Sequence, residues 1–195
     1  RFPYTGVILA GGLATRFSGE NKAFIQIGGQ PILNYLVTIF HELFEEVILV
    51  TNDPPAYTQW DLQIVTDLFD VRSSLTGLHA GLFYASHPAV FFTAADTPFL
   101  KRELVQAIIA AYDDQTDVVI PKTQAGFEPL CAIYSKKCLK PAEWCLTNNH
   151  FRIHRSFKRV RVRALEESHL RKHDQNLISF FNINLYESQN RALFC

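Results

Sequence analysis

The chain lacks, first, any excess of charge: 19 Lys and Arg stand against 19 Asp and Glu in 195 residues, leaving it neutral with histidine uncharged. A broad nucleic-acid-binding surface needs surplus cations and is not expected, although a local basic patch is compatible with the balance. No apolar run reaches the length of a membrane span, and no recognisable secretory leader opens the chain, so a cytoplasmic location is expected. Cysteine is sparse. Cys131, Cys138, Cys145 and Cys195 include no CxxC pair, which leaves a zinc ribbon or a thioredoxin-like motif without support and makes reduced thiols the expectation. Methionine is absent altogether. No GxSxG elbow occurs, so a Ser-His-Asp hydrolase finds no support. The His150/His154 and His169/His173 pairs have one-turn spacing but no HExxH frame, and read as surface histidines rather than metal ligands. No repeat, low-complexity tract or linker divides the chain. With 48% hydrophobic residues, it reads as one domain over residues 1–195.

Apolar runs of strand length recur at 6–10, 47–51, 62–65, 90–95, 117–120, 130–134 and 178–183. Helical periodicity lies between several of them. Ile32, Tyr35, Leu36, Ile39, Phe40 and Leu43 share one face of a helix begun by Pro31. Leu75–Ser86 and Leu100–Tyr112 read similarly, and Leu185–Leu193 makes a shorter closing helix. Continuous apolar strands alternating with helices predict an α/β, Rossmann-like fold in three layers, with a mainly parallel central sheet covered on both faces. Ligands in such sheets sit beyond the carboxyl ends of the strands.

The most informative string is TGVILAGGLATRFSGENKAF, residues 5–24. A β-branched run through Leu9 and Ala10 meets Gly11 and Gly12, then Arg16, Gly19 and Lys22. Adjacent glycines let backbone N–H groups turn toward a ligand with no Cβ in the way, and the two cations suit polyphosphate. Neither the P-loop nor the dinucleotide fingerprint has this spacing. The plain alternative is a tight strand-to-helix turn with two solvated cations.

That string resembles the opening of nucleotidyltransferases that join a nucleoside monophosphate to a phosphorylated partner, whose pattern approximates LAGGxxxRMGxxDK followed by a Gly-x-Pro helix start. Here it reads Leu9-Ala10-Gly11-Gly12, Arg16, Lys22 and Gly29-Gln30-Pro31, with Phe17, Ser18 and Asn21 where Met, Gly and Asp are usual. The nearest family is the molybdenum cofactor guanylyltransferases, which attach GMP to molybdopterin. The resemblance implies GTP and molybdopterin cofactor as substrates, Mg²⁺ as cofactor and cofactor-delivery proteins as candidate partners. It also implies nucleotide contacts at Leu9, Ala10, Gly11, Gly12 and Lys22, with Arg16, Lys22 and Asp96 serving catalysis. The LAGG form favours GTP over CTP, since cytidylyltransferase relatives look more like LAAG.

Asp96, in Ala94-Ala95-Asp96-Thr97-Pro98-Phe99, ends an apolar strand. Nucleotidyl transfer needs a hard divalent cation bridging phosphates through one or two carboxylates, and Asp-Thr-Pro-Phe-Leu matches the family's metal-binding segment; alternatively Asp96 caps the next helix. Asn182 and Asn184 point to one side of an extended chain and supply neutral oxygens beside Asp96; alternatively they form a turn. The family carries an Asn-x-Asn here, then Thr-Pro, where this chain has Leu185-Tyr186. Asn52 and Asp67 follow the second and third strands, where relatives contact base and ribose. A carboxylate accepts both N1–H and N2–H of guanine, though Asp67 also reads as a plain loop residue. Gly77-Leu78-His79-Ala80-Gly81 stands where relatives have Gly-Pro-Leu-x-Gly, opening a helix whose amides meet phosphate or ribose, with His79 a helix-start residue. Glu128–Tyr134 resembles the segment leading to the acceptor side. Beyond it, Arg152, Arg155, Lys158, Arg159, Arg161 and Arg163 form either a charged edge strand or a site for an anionic acceptor's phosphate. Other readings are a related transferase using CTP or a sugar phosphate, and a non-catalytic nucleotide or cofactor carrier.

Overall fold

A computed structural model of the chain describes residues 1–11, 16, 17 and 20–183, with the side chains of 16, 17 and 20 left out. Among the described residues, eight strands form one sheet: β1 (Phe2–Leu9), β2 (Phe44–Val50), β3 (Gln63–Val65), β4 (Ala89–Ala94), β5 (Val118–Thr123), β6 (Gly126–Phe127), β7 (Cys131–Ser135) and β8 (Val162–Glu166). The order is β6-β5-β7-β4-β1-β2-β3, and β8 also pairs with β5. Strands β4, β1, β2 and β3 run parallel, β8 runs parallel to β5, and β7 is antiparallel to both of its neighbours. The mainly parallel sheet read from the sequence is what folds.

Helices α1 (Ile32–Leu43), α2 (Ser74–Tyr84), α3 (Arg102–Ala110) and α4 (Leu139–Thr147) cover the two faces. Alternation along β1 explains why. Ile8 joins a core with Leu36 and Phe40 of α1 and Leu104 and Ile108 of α3. Val7 and Leu9 join a second core with Leu75, Leu78 and Leu82 of α2 and Ala142 and Cys145 of α4. A strand buried on both faces has no polar alternation to show, hence the continuous apolar runs. The layers approach closely where side chains are missing: a Cβ on Gly6 lies 2.5 Å from Phe40 and Phe44 ring atoms, and one on Gly81 lies 2.5 Å from Phe92.

Register aligns the strand ends. Leu9 stands opposite Val50 on one side and Ala94 on the other, and single hydrogen bonds carry the ladder one residue further, from Ala10 N–H to Val50 O and from Ala95 N–H to Leu9 O. Gly11, Asn52 and Asp96 therefore leave the sheet at the same level.

Two expectations need correction. Residues 178–183 join no sheet: Ile178–Phe180 is a 3-10 turn, because Ser179 is buried by hydrogen bonds that a ladder does not offer, and Phe181 packs on Phe99. Gly77–Gly81 lies inside α2 rather than at its start. Ser73 caps that helix, its hydroxyl accepting from Thr76 N–H, so the first-turn amides belong to Ser74, Leu75 and Thr76. The closing helix read over Leu185–Leu193 lies outside the described residues.

Only the end of the basic run joins the sheet edge: Ile153–Arg159 is a 3-10 helix and not a strand, and β8 begins at Val162. Arg161 holds Asp117 through two nitrogens at 2.9 and 3.1 Å, Arg163 pairs with Asp113 at 2.7 Å, and Arg159 lies 4.2 Å over the Trp144 ring. Hydrogen bonds from Arg161 outweigh burial and bring the Asp117 carboxyl down to about 2. Cys131, Cys138 and Cys145 are buried free thiols, and no helix is long and apolar enough to cross a membrane among the described residues.

Candidate active site

A cavity of about 490 Å³ opens beyond the carboxyl ends of β1, β2 and β4 and the amino end of the antiparallel β7. Leu9, Ala10, Gly11, Lys22, Asp67, Asp96 and Asn182, singled out from the sequence, all line it. Asn52 is exposed beside it and donates its side-chain amide to Asp67 Oδ2 at 2.8 Å. Gly12, the Arg16 side chain and Asn184 lie outside the described residues.

Each segment is held by identifiable contacts. Lys22 opens a 3-10 turn, Lys22–Phe24, capped by Asn21, whose side-chain oxygen accepts from Ala23 N–H at 3.1 Å. The other half of that amide donates to the Tyr57 hydroxyl at 2.7 Å, and Tyr57 donates in turn to Ala10 O at 3.3 Å. An amide at position 21 can give a hydrogen bond to Tyr57 and leave the tyrosine proton for Ala10, which an ionised carboxylate cannot do. Asn21 thereby ties the Lys22 turn to the end of β1. Thr97 secures the turn after β4, donating to Ala94 O at 2.7 Å.

Electrostatically the cleft is uneven. Lys22 is only 3% exposed, and its ammonium lies 3.9 Å from Asp96 Oδ2. Burial pushes the Asp96 carboxyl above the ordinary range, and Lys22 offsets only part of that. Asp67 is raised by burial too, against the pull of Asn52 and Arg72. Glu128, also on the wall, is raised for the same reason.

Sequence reasoning did not single out Arg72, Ser73 or Ser74, which also line the cavity. The only local signal was a Ser-Ser pair ahead of an apolar run, an N-cap signature. His79 is not a helix-start residue. It is buried in α2 against Phe69 and Phe83, and burial lowers its pKa.

Smaller and more apolar, a second cavity of about 430 Å³ adjoins the first, sharing Ser74, Pro129 and Leu130 with it and walled by Phe127, Phe151, Arg152 and Phe157.

A family model described as the MobA-like NTP transferase domain matches residues 6–165. A protein of Desulfosudis oleivorans named molybdenum cofactor guanylyltransferase is 42% identical over 188 residues, covering 96% of this chain and 93% of that one. A probable molybdenum cofactor guanylyltransferase of Natranaerobius thermophilus is 34% identical, covering 96% and 94%. Among solved structures, molybdopterin-guanine dinucleotide biosynthesis protein A from Archaeoglobus fulgidus superposes with a TM-score of 0.80 at 25% identity, covering 96% of both chains.

Proposed function

From the premise that the chain belongs to the MobA-like NTP transferase family, we propose that it transfers GMP from GTP to the phosphate of molybdopterin cofactor, releasing pyrophosphate. One observation carries the reading: Gly11, Lys22, Asp67 and Asp96, from four separate segments of the chain, line a single cavity. Gly11 leaves room for phosphate beside the backbone, Lys22 brings charge to it, and Asp67 faces the base.

The site fits a divalent cation. Asp96 is a half-buried carboxylate whose burial penalty one ammonium offsets only in part, and Asn182 adds an amide oxygen on the same wall. No group of three or more His, Cys, Asp or Glu able to hold a metal occurs among the described residues. One carboxylate sharing its ion with substrate phosphates is the usual pattern for Mg²⁺. When bound between Asp96 and Asn182, with Asn184 as the further candidate, Mg²⁺ supplies positive charge to the phosphate oxygens.

The acceptor's terminal phosphate oxygen attacks the α-phosphorus, the bond to the bridging oxygen breaks, and pyrophosphate leaves. Lys22, with Arg16 as its expected partner, neutralises the charge that develops, and the rest is positioning. The acceptor enters from the second cavity, where Arg152 is the cation of the basic run closest to hand.

The test is pyrophosphate release from Mg²⁺, molybdopterin cofactor and each nucleoside triphosphate in turn. GTP alone should support it, and Lys22→Ala or Asp96→Ala should each slow it by about a hundredfold or more, as loss of other charge-stabilising donors does. Near-normal rates in both variants would overturn the assignment; release with CTP would keep the chemistry and change the base.

A further inference from the structure

At the wall of the cleft, which Ser179 lines, three residues close a ring of contacts between two loops that are 78 residues apart in sequence at their hydrogen-bonded point. Asp174 Oδ2 accepts from Ser179 N–H at 2.8 Å. Ser179 Oγ accepts from Lys101 N–H at 3.0 Å. Lys101 Nζ returns to Asp174 Oδ1 at 3.1 Å. Asp174 and Ser179 are wholly buried. Lys101 follows the Asp96-Thr97-Pro98-Phe99 turn and sits at the N-cap of α3; Ser179 is three residues before Asn182.

We propose that the Asp174–Ser179–Lys101 ring is a latch that sets Asn182 against Asp96, making these three positioning residues for the cation and phosphate site. Asp174 and Lys101 are not among the residues lining the cavity, so they act through the loops they join. Two further contacts run from the ring toward the site: the Phe99 and Phe181 rings lie 5.9 Å apart, and Ile183 N–H reaches Asp96 O at 3.3 Å. Asn182 lies between those last two anchors. The 96–101 and 174–183 segments are thus fastened at both ends of the stretch that carries the asparagine.

Two physical points favour geometry over bulk stability as the role. Leu177 takes φ +53, a left-handed conformation that a side chain disfavours and that persists only where its surroundings over-determine it. Its N–H bonds to the main-chain carbonyl of Asp174 at 3.0 Å, so the bend follows directly on the residue whose side chain enters the ring. The Lys101–Asp174 pair joins a half-exposed ammonium to a buried carboxylate, and such a pair is weak as a stabiliser, because solvent screening and desolvation consume most of its Coulomb gain. What such a pair does well is fix orientation, as outer partners of metal ligands do elsewhere.

The latch rests on the cation reading above, and the experiment separates the two. Mn²⁺ binding to the full chain with GTP present is followed by electron paramagnetic resonance in wild type, Ser179→Ala, Lys101→Met, Lys101→Arg and Asp96→Ala. Metal-free GTP affinity, thermal stability and amide exchange over 178–183 are measured alongside. Ser179→Ala and Lys101→Met should each weaken Mn²⁺ binding about tenfold, the usual cost of losing an outer partner. Metal-free GTP affinity should hold within about twofold, exchange over 178–183 should quicken, and Lys101→Arg should restore most of the metal affinity. If Asp96→Ala abolishes Mn²⁺ binding while Ser179→Ala and Lys101→Met bind it as wild type does, the latch alone is overturned. An equal loss of metal-free GTP binding overturns it as well, since that marks a general disturbance. If Asp96→Ala binds Mn²⁺ as wild type does, the cation reading falls and the latch with it.

Discussion

Replacing Asp67 by Asn tests the base-recognition half of the cleft. Its Oδ2 is engaged by the Asn52 amide at 2.8 Å, which orients the carboxylate plane, and a Cβ built on Gly77 lies 3.9 Å from Oδ1, close to where α2 begins. Guanine offers N1–H and N2–H side by side, and a carboxylate accepts both. Asp67→Asn is nearly isosteric but turns one acceptor into a donor, leaving a guanine N–H unmet. Hydrogen bonds to a charged group contribute about 1.5–3 kcal/mol, so kcat/KM for GTP should fall by roughly 10–150-fold. Inosine triphosphate lacks the 2-amino group. Wild type should prefer GTP to it, and the variant should nearly lose that preference. Acidity adds a second signature. Burial raises the Asp67 carboxyl above 3.8, so its protonated form appears at higher pH than an ordinary aspartate's. GTP affinity should hold on the alkaline side and fall as pH drops through that raised value, a step the asparagine variant lacks. Pyrophosphate release with GTP and inosine triphosphate, taken across pH, measures all of this. An unchanged GTP preference in Asp67→Asn would falsify the role.

Two further outcomes follow from the charges at the sheet edge and the second cavity. Asp117 is lowered from 3.8 to about 2 by its hydrogen bonds to Arg161, so its contribution to stability is present above the unfolded value and is lost as pH falls from about 4 toward about 2; Arg161 is half-exposed, so screening leaves about 1 kcal/mol. Asp117→Asn should lower Tm by roughly 2–4 °C at neutral pH, and an equal difference between variant and wild type at pH 2 and pH 7 would refute it. Arg152→Ala should raise KM for the molybdopterin acceptor by about tenfold, the scale of one charge-assisted hydrogen bond, and leave KM for GTP alone; a shift in the GTP value instead would place Arg152 on the nucleotide side.

The central sheet was legible because parallel strands buried on both faces must be apolar at every position, and Val47–Val50 and Val90–Phe92 show that directly. The helix from Pro31 was legible for the complementary reason, since its buried residues recur with helical period. Residues 178–183 misled because Ile, Phe and Phe around a serine have the composition of a strand, whereas the decisive partners, Asp174 and Lys101, are distant or non-periodic. The GLHAG segment misled because the helix start is set by the Ser73 hydroxyl four residues earlier, which outweighs the glycines. Asn21 looked like a lost charge. Its partner, Tyr57, is 36 residues away, and no local pattern announces such a pair.

The nucleophile of the proposed reaction asks for no base. Acyl or hydroxyl nucleophiles need a base to take a proton, but a phosphate monoester has its second ionisation near about 6 and is already anionic at neutral pH. On the proposed reaction, the difficulty is not proton removal but bringing one polyanion against another. The cleft meets that difficulty with an ammonium held away from water: Lys22 is 3% exposed, and a charge in such surroundings acts on a neighbouring phosphate far more strongly than a solvated lysine does. Its carboxylate neighbour, Asp96 Oδ2, lies 3.9 Å away, beyond hydrogen-bond length. On the proposed reaction the ammonium serves the phosphates, and Asp96 beside it serves a second cation.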